Sequence, residues 1–405
     1  MLDQADEVWI TGVGLVSSLG DGSEAHTDIL TGRRDGMPAV DETTFAPYPV
    51  HRLVPLDLSK QIPKNSDQRQ MEGWQKLGVY AAGLALDDAG IKGKADLLDR
   101  TDLAVAAGSG ERDTAVDCKV LETASAGGDT PLRANEILPS ALRPTLFLAQ
   151  LSNLLAGNIS IVHHVTGGSR TFMGEETAGL AAIESAFRRV AAGQCEICLV
   201  GGALNAERAD LLLGYELGHN LWHHPFQHIE ERTHRGGGFV PGSVGAFLVL
   251  EQRGHAQGRA ARPYARLTAV ESDRGRREPN PSANPLAQVF ARVGSPTGQE
   301  ATSVFSGASG VAPATAGELS FLQGLTRSGG INCAWTYGDL IGHSVEAHFP
   351  AGIALAALAL RGEGLSAALA GKKCNADDVA PIDRIIVTTV GHYRGEGLAV
   401  LERIS

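Results

Sequence analysis

The segment EICLVGGA at residues 196–203, taken up again by GAFLVLEQR at 245–253, has a counterpart near the C-terminus, RIIVTTVGHYRGEGLAVLERI at 384–404. Each set reads as an apolar strand, a glycine turn and a second apolar strand ending in Leu-Glu. In the later copy the turn is a few residues long, so its two strands are expected to pair as a hairpin. In the earlier copy a long insertion intervenes. This weak internal repeat predicts duplicated halves packed into one body, 1–253 and 254–405. Residues 254–262 read as a polar crossover between them.

The surrounding sequence agrees. Short β-branched runs over 8–14, 103–107, 195–200 and 246–251 read as strands. Ala/Leu-rich stretches over 77–89, 143–156 and 177–192 read as helices. In the second half, strands are expected over 264–269, 333–336, 385–390 and 398–401, and helices over 318–325 and 349–361. Such alternation predicts an α/β fold in layers.

Composition narrows the function. Of 405 residues, 43% are apolar and 20% charged, enough for a large buried core. Lys plus Arg total 35 against 46 Asp plus Glu, a net charge of −11. That balance speaks against nucleic-acid binding. The small cluster Arg274, Arg276 and Arg277 reads as part of an exposed loop over 273–285. The longest apolar run, 349–360, is too short for a membrane span and reads as a buried helix. The start, MLDQADEVWI, is acidic and lacks a signal-peptide pattern, so a cytoplasmic protein is expected. Five cysteines are too few and scattered for a disulfide framework. Cys195 and Cys198 form a C-x-x-C, but on a strand they would face opposite ways and serve the core.

Three stretches carry chemistry. In SRTFMGEETAGL, 169–180, a glycine turn runs into an amphipathic helix. A helix start offers unpaired N–H groups and a positive dipole end, a place for a nucleophile or an anion. Glu175 and Glu176 suit it as carboxylates, and ordinary acidic residues at a helix start would read alike. In TYGDLIGHSVEAHF, 336–349, His343 is either a catalytic base or a core histidine. VGHYRGEG, 390–397, is a glycine-rich connection without the Lys-Ser/Thr of a phosphate loop. The histidine-rich GHNLWHHPFQHIEERTH, 218–234, places His224 and His228 four apart, but Pro225 lies between them and no third ligand is fixed. It reads as a polar loop or subunit contact.

Taken in order, VWITGVGLVSSLG (8–20), GGGFVPGSVGAFLVLEQRGHAQGRAARPYARL (236–267) and IGHSVEAHFPAGI (341–353) resemble the β-ketoacyl-acyl-carrier-protein synthases, condensing enzymes of the thiolase fold. The resemblance runs along nearly the whole chain. It implies a layered α-β-α-β-α body made of two ketosynthase-like halves. It implies no cofactor and no metal. Its chemistry would be condensation of an acyl thioester with malonyl on a carrier protein, through a cysteine at the helix start, two histidines and a lysine. Gly179, Ala186, Gly193, Gly201 and Gly202 keep the family's register. That register puts Glu176 at the nucleophile position. Gly307 falls at the first histidine, His343 at the second, and Gly338 at the lysine. Ser309 and Val311 stand where threonines would hold the pantetheine arm. Gly391 and His392 open the segment that corresponds to the family's gate.

One of four chemical groups thus remains. A carboxylate is a poor acyl acceptor, because the resulting anhydride is high in energy. The resemblance therefore implies a chain-length-factor-like paralogue, in fatty acid biosynthesis, that pairs with a Cys-containing synthase. An acyl carrier protein is a further expected partner. RPTLFLAQLSNLLAGNISI (143–161) and SRTFMGEE (169–176) further resemble synthases of very-long-chain acyl groups for lipid A. Residues 169–173 would be an edge strand, and 145–158 a neighbouring helix, at a dimer interface. The alternative is an active acyltransferase or malonyl-carrier decarboxylase using Glu176 and His343 as acid and base. The small residues Gly307 and Gly338 suggest freed space.

Overall fold

Alternation along the strands explains the layering. In one strand Ala104 and Ala106 point into one core while Leu103, Val105 and Ala107 point into another. In a second strand Ile385 and Val387 face one side and Ile386 the opposite. Strands buried on both faces must be covered on both faces. The computed structural model describes residues 7–34, 37–125, 127, 129–275, 284–293, 301–362 and 382–404. Arg276, Arg277, Cys374 and most of the 273–285 loop lie outside them.

The strands are β1 (Val8–Ser17), β2 (Gly20–Asp21), β3 (Thr101–Ala107), β4 (Ser169–Met173), β5 (Ile197–Leu204), β6 (Val244–Gln252), β7 (Ala265–Asp273), β8 (Thr302–Ser306), β9 (Cys333–Thr336), β10 (Arg384–Val390) and β11 (Glu396–Glu402). They form one mixed sheet in the order β4-β3-β5-β6-β1-β7-β11-β10-β8-β9, with the short β2 on β1. The order from β4 to β1 is repeated from β9 back to β7. In each set the strand pairs at the outer end are parallel and the inner ones antiparallel. β1 and β7 join the sets through Val8, Trp9 and Ile10. The expected hairpin is β10–β11, with Val390 opposite Glu396.

Two helices fill the centre, Glu176–Ala191 and His348–Arg361, and they pack on each other and on strands of both sets. Every residue from His348 to Leu360 is buried, as an all-round apolar helix requires. The Gly73–Asp88 helix covers the opposite face of the first set, and Pro285–Val293 and Ala314–Arg327 that of the second. The α/β layering expected from the sequence is what the chain adopts. Among the described residues no helix is long and apolar enough to cross a membrane.

Three local readings need correction. The helix expected over 143–156 is a short turn, Leu146–Ala149, followed by a helix over Leu154–His163. Ser152 lies at the break, where its hydroxyl donates to the Gly108 carbonyl at 2.6 Å instead of supporting a helical turn. β5 begins at Ile197, so Cys195 precedes the strand, and its thiol is hydrogen-bonded with Cys198 rather than facing away. That contact lowers Cys195 and, with burial, raises Cys198. Cys333 is disulfide-bonded. The crossover over 254–262 is partly a helix, Arg253–Gly258.

Candidate functional site

β4 delivers the chain to Gly174, whose φ of 138° turns it into the central Glu176–Ala191 helix. The first residue of that helix, Glu176, is buried at 3% exposure. Its Oε1 accepts from His343 Nε2 at 3.2 Å and lies 3.1 Å from His392 Nδ1. The backbone of His343 is pinned on both sides, its N–H donating to Val240 and its carbonyl accepting from Gly242. His392 sits in the loop between β10 and β11, closed by Gly391 N–H donating to Gly395 at 2.8 Å. Phe239 stacks on His392 with centroids 5.2 Å apart and meets His343 edge-on at 5.3 Å. Three distant segments thus converge on one carboxylate oxygen.

Electrostatics sort the three nearby carboxyls. Burial pushes Glu176 up, but His392 and His343 outweigh it and hold the group at about 2. The helix dipole acts in the same direction. Burial and the Glu176 charge push Glu175 up to about 7. Burial, together with Glu176 and Glu175, pushes Glu346 up to about 8. One anion is therefore held tightly between imidazoles while its two neighbours keep their protons near neutrality. Glu175 and Glu346 line a cavity of about 610 Å³ with Arg208, Tyr215, Trp74 and Tyr393.

The other expected positions behave differently. A Cβ on Gly307 would overlap the Thr388 carbonyl and stand 2.9 Å from the Tyr337 hydroxyl. A Cβ on Gly338 would stand 3.1 Å from Ile229 and 3.6 Å from His348. The freed space suggested by these glycines is absent at Gly307, and at Gly338 it is no more than a Cβ would take with a small shift of Ile229. Ser309 is buried, and its hydroxyl accepts from Val311 N–H at 3.1 Å within the loop. Val311 packs in a cluster with Phe239, Val50 and Val345. Gly391 faces the carboxylate, where a Cβ would come 3.3 Å from Glu176 Oε2. Glu176, His343, His392 and Gly391 are therefore brought together. Gly307 and Gly338 lie behind them, on His348.

His348, Tyr337, Glu346 and Phe239 were not singled out in the sequence. The His348 ring lies 4.3 Å from that of His343 and 4.5 Å from that of Tyr337. Burial and the neighbouring imidazoles hold it well below the usual histidine range, and its Nδ1 accepts from Ser344 N–H at 3.4 Å. The spacing of His343, Glu346 and His348 ahead of an apolar helix was the available signal. The histidine-rich segment is arranged otherwise. His224 and His228 precede the Ile229–Thr233 helix and share no helical face, and His228 lies 3.6 Å from Asp339. Among the described residues the groups able to surround a metal ion are Glu176, His343 and His392, with donor atoms within 4.8 Å of one another.

Comparison with known proteins agrees with this architecture. The chain is 27% identical over 266 residues to a 3-oxoacyl-(acyl-carrier-protein) synthase 2 of Vibrio harveyi, a match covering 64% of this chain and 61% of that protein. The chain thus matches about three fifths of such a relative's length. It is 26% identical over 282 residues to the tetracenomycin polyketide synthase ketoacyl synthase beta subunit of Streptomyces glaucescens, covering 65% of this chain and 63% of that protein. The solved structure described as the ishigamide ketosynthase/chain length factor superimposes with a TM-score of 0.77 at 18% identity, over 98% of this chain and 99% of the other. It shares the fold. A family profile for the N-terminal domain of β-ketoacyl synthases matches residues 5–256. That stretch holds β1 to β6 and the helix that begins at Glu176, and on it the chain belongs to the β-ketoacyl synthase family.

Proposed function

We propose that this chain is a non-condensing, chain-length-factor-like member of its family that works as a heterodimer with a Cys-containing synthase. The observation that carries the reading is Glu176. The position that would need a nucleophile holds a buried anion, 3.2 Å and 3.1 Å from two histidines. A carboxylate held at about 2 is a weak base and a poor acyl acceptor. The positions of the first histidine and the lysine are glycines, the first with no room for a Cβ beside the Thr388 carbonyl and the second with a Cβ pressed to 3.1 Å from Ile229.

A surface for the partner supports the reading. β4 ends the sheet with Ser169, Arg170 and Met173 exposed. Phe147, Ile161 and Met173 are each at least 66% exposed. An open strand edge beside exposed apolar side chains calls for pairing. The ketoacyl synthase beta subunit and the ketosynthase/chain length factor among the similar proteins point the same way. An acyl carrier protein is the expected second partner, and very-long-chain acyl groups are the expected product class. The halves 1–253 and 254–405 are read as the duplicated units.

The test is co-expression with the Cys-containing ketosynthase of the same genome, followed by native mass spectrometry and analysis of acyl products. The expected result is a one-to-one complex that extends an acyl chain, with neither activity in this chain alone. Condensation or malonyl-carrier decarboxylation by the isolated chain, lost in Glu176→Gln, would instead support the acid–base alternative.

A further inference from the structure

The convergence of Glu176, His343 and His392 suggests more than an ion pair. We propose that Glu176 Oε1, His343 Nε2 and His392 Nδ1 together bind one divalent transition-metal cation of the zinc type. Imidazole nitrogen with one carboxylate oxygen is a donor set that such cations accept. Donors about 2.1 Å from a metal lie about 3.0 Å apart in adjacent octahedral positions and about 3.4 Å apart in a tetrahedral site. The two oxygen–nitrogen separations are 3.2 Å and 3.1 Å, and all three atoms fall within 4.8 Å of one another.

The side chains are held for the purpose. The His343 backbone is fixed at Val240 and Gly242, and Phe239 braces both rings. The Glu176 carboxylate comes from the rigid start of the central helix. Three protein ligands leave a further coordination position open for water or a small ligand. Glu175 and Tyr393, the chain neighbours of Glu176 and His392, line the cavity described above. The binding site stands apart from the partner-subunit reading, since it is tested on the isolated chain without a partner.

The experiment strips the full chain with chelator. It then titrates the chain with zinc chloride by calorimetry and with cobalt chloride by visible absorption. One saturable equivalent per chain and visible cobalt ligand-field bands are expected. His392→Phe and Glu176→Gln, each checked for folding by circular dichroism, should weaken zinc binding about 100-fold or more. His223→Ala with His224→Ala, both exposed and outside the donor set, should leave it unchanged. The absence of a one-equivalent phase and of cobalt bands in the unaltered chain would overturn the proposal, and that measurement needs no variant to fold. Binding retained in His392→Phe but lost with the exposed pair would also overturn it.

Discussion

On the proposed register, the Glu176 position and the Gly307–Gly338 positions depart from the family's expected groups in opposite ways. At Glu176 a buried carboxylate lies against two imidazoles. At Gly307 a Cβ would overlap the Thr388 carbonyl, and at Gly338 it would press on Ile229 at 3.1 Å. A replaced position keeps a polar core that must stay satisfied. A closed position resists restoration of the old chemistry. The contrast explains why restoring one residue is not expected to restore a condensing enzyme.

Glu176→Ala is expected to show the largest effect. It leaves two buried imidazoles facing a cavity and should cost about 3 kcal/mol or more, read from chemical denaturation. A change below about 1 kcal/mol would show that the ion pair is not the keystone assigned to it. Gly307→His is expected to cost about 2 kcal/mol through overpacking against Thr388 and Tyr337, with no gain of condensation. A stable variant with measurable condensation would erase the distinction between the two positions.

Glu346→Gln sharpens the electrostatic half of the comparison. The native carboxyl is raised to about 8, so the folded chain keeps a proton that the unfolded chain releases near its ordinary value. Stability from this group is fully present below that ordinary value and is lost as pH rises through about 8. The variant should therefore melt higher than the parent at pH 8.5, by on the order of 2 kcal/mol, and much the same at pH 4. A parallel pH profile in both proteins would contradict the assignment. Met173→Asp should change the isolated chain's stability least, within about 0.5 kcal/mol, because the side chain is 72% exposed. It should nonetheless abolish the partner complex in native mass spectrometry.

Much of the fold was legible because strand alternation and the Leu-Glu strand ends recur. Residues 196–203 and 384–404 carried the repeat that the strand order displays. The 143–156 helix was misread because Ser152 bonds to a distant carbonyl that no local pattern reveals. The Cys195–Cys198 contact was missed because the strand start was placed two residues early. The register singled out Glu176 and His343, and the structure places the two in hydrogen-bond contact. Their meeting with His392 was not legible, since the three lie on separate segments, a helix start, a loop held by Val240 and Gly242, and the β10–β11 turn, that only the tertiary fold brings together. Gly307 and Gly338 looked like vacancies because a glycine in sequence does not say what has moved in.

The central claim is that this chain does not condense acyl groups and depends on a Cys-containing partner. The most direct measurement supplies acyl- and malonyl-carrier protein to the chain alone and to the co-purified pair, and reads carbon dioxide release and product mass. The account predicts no turnover by the chain alone and extension by the pair. Turnover by the chain alone, abolished in Glu176→Gln and His343→Ala, would contradict it.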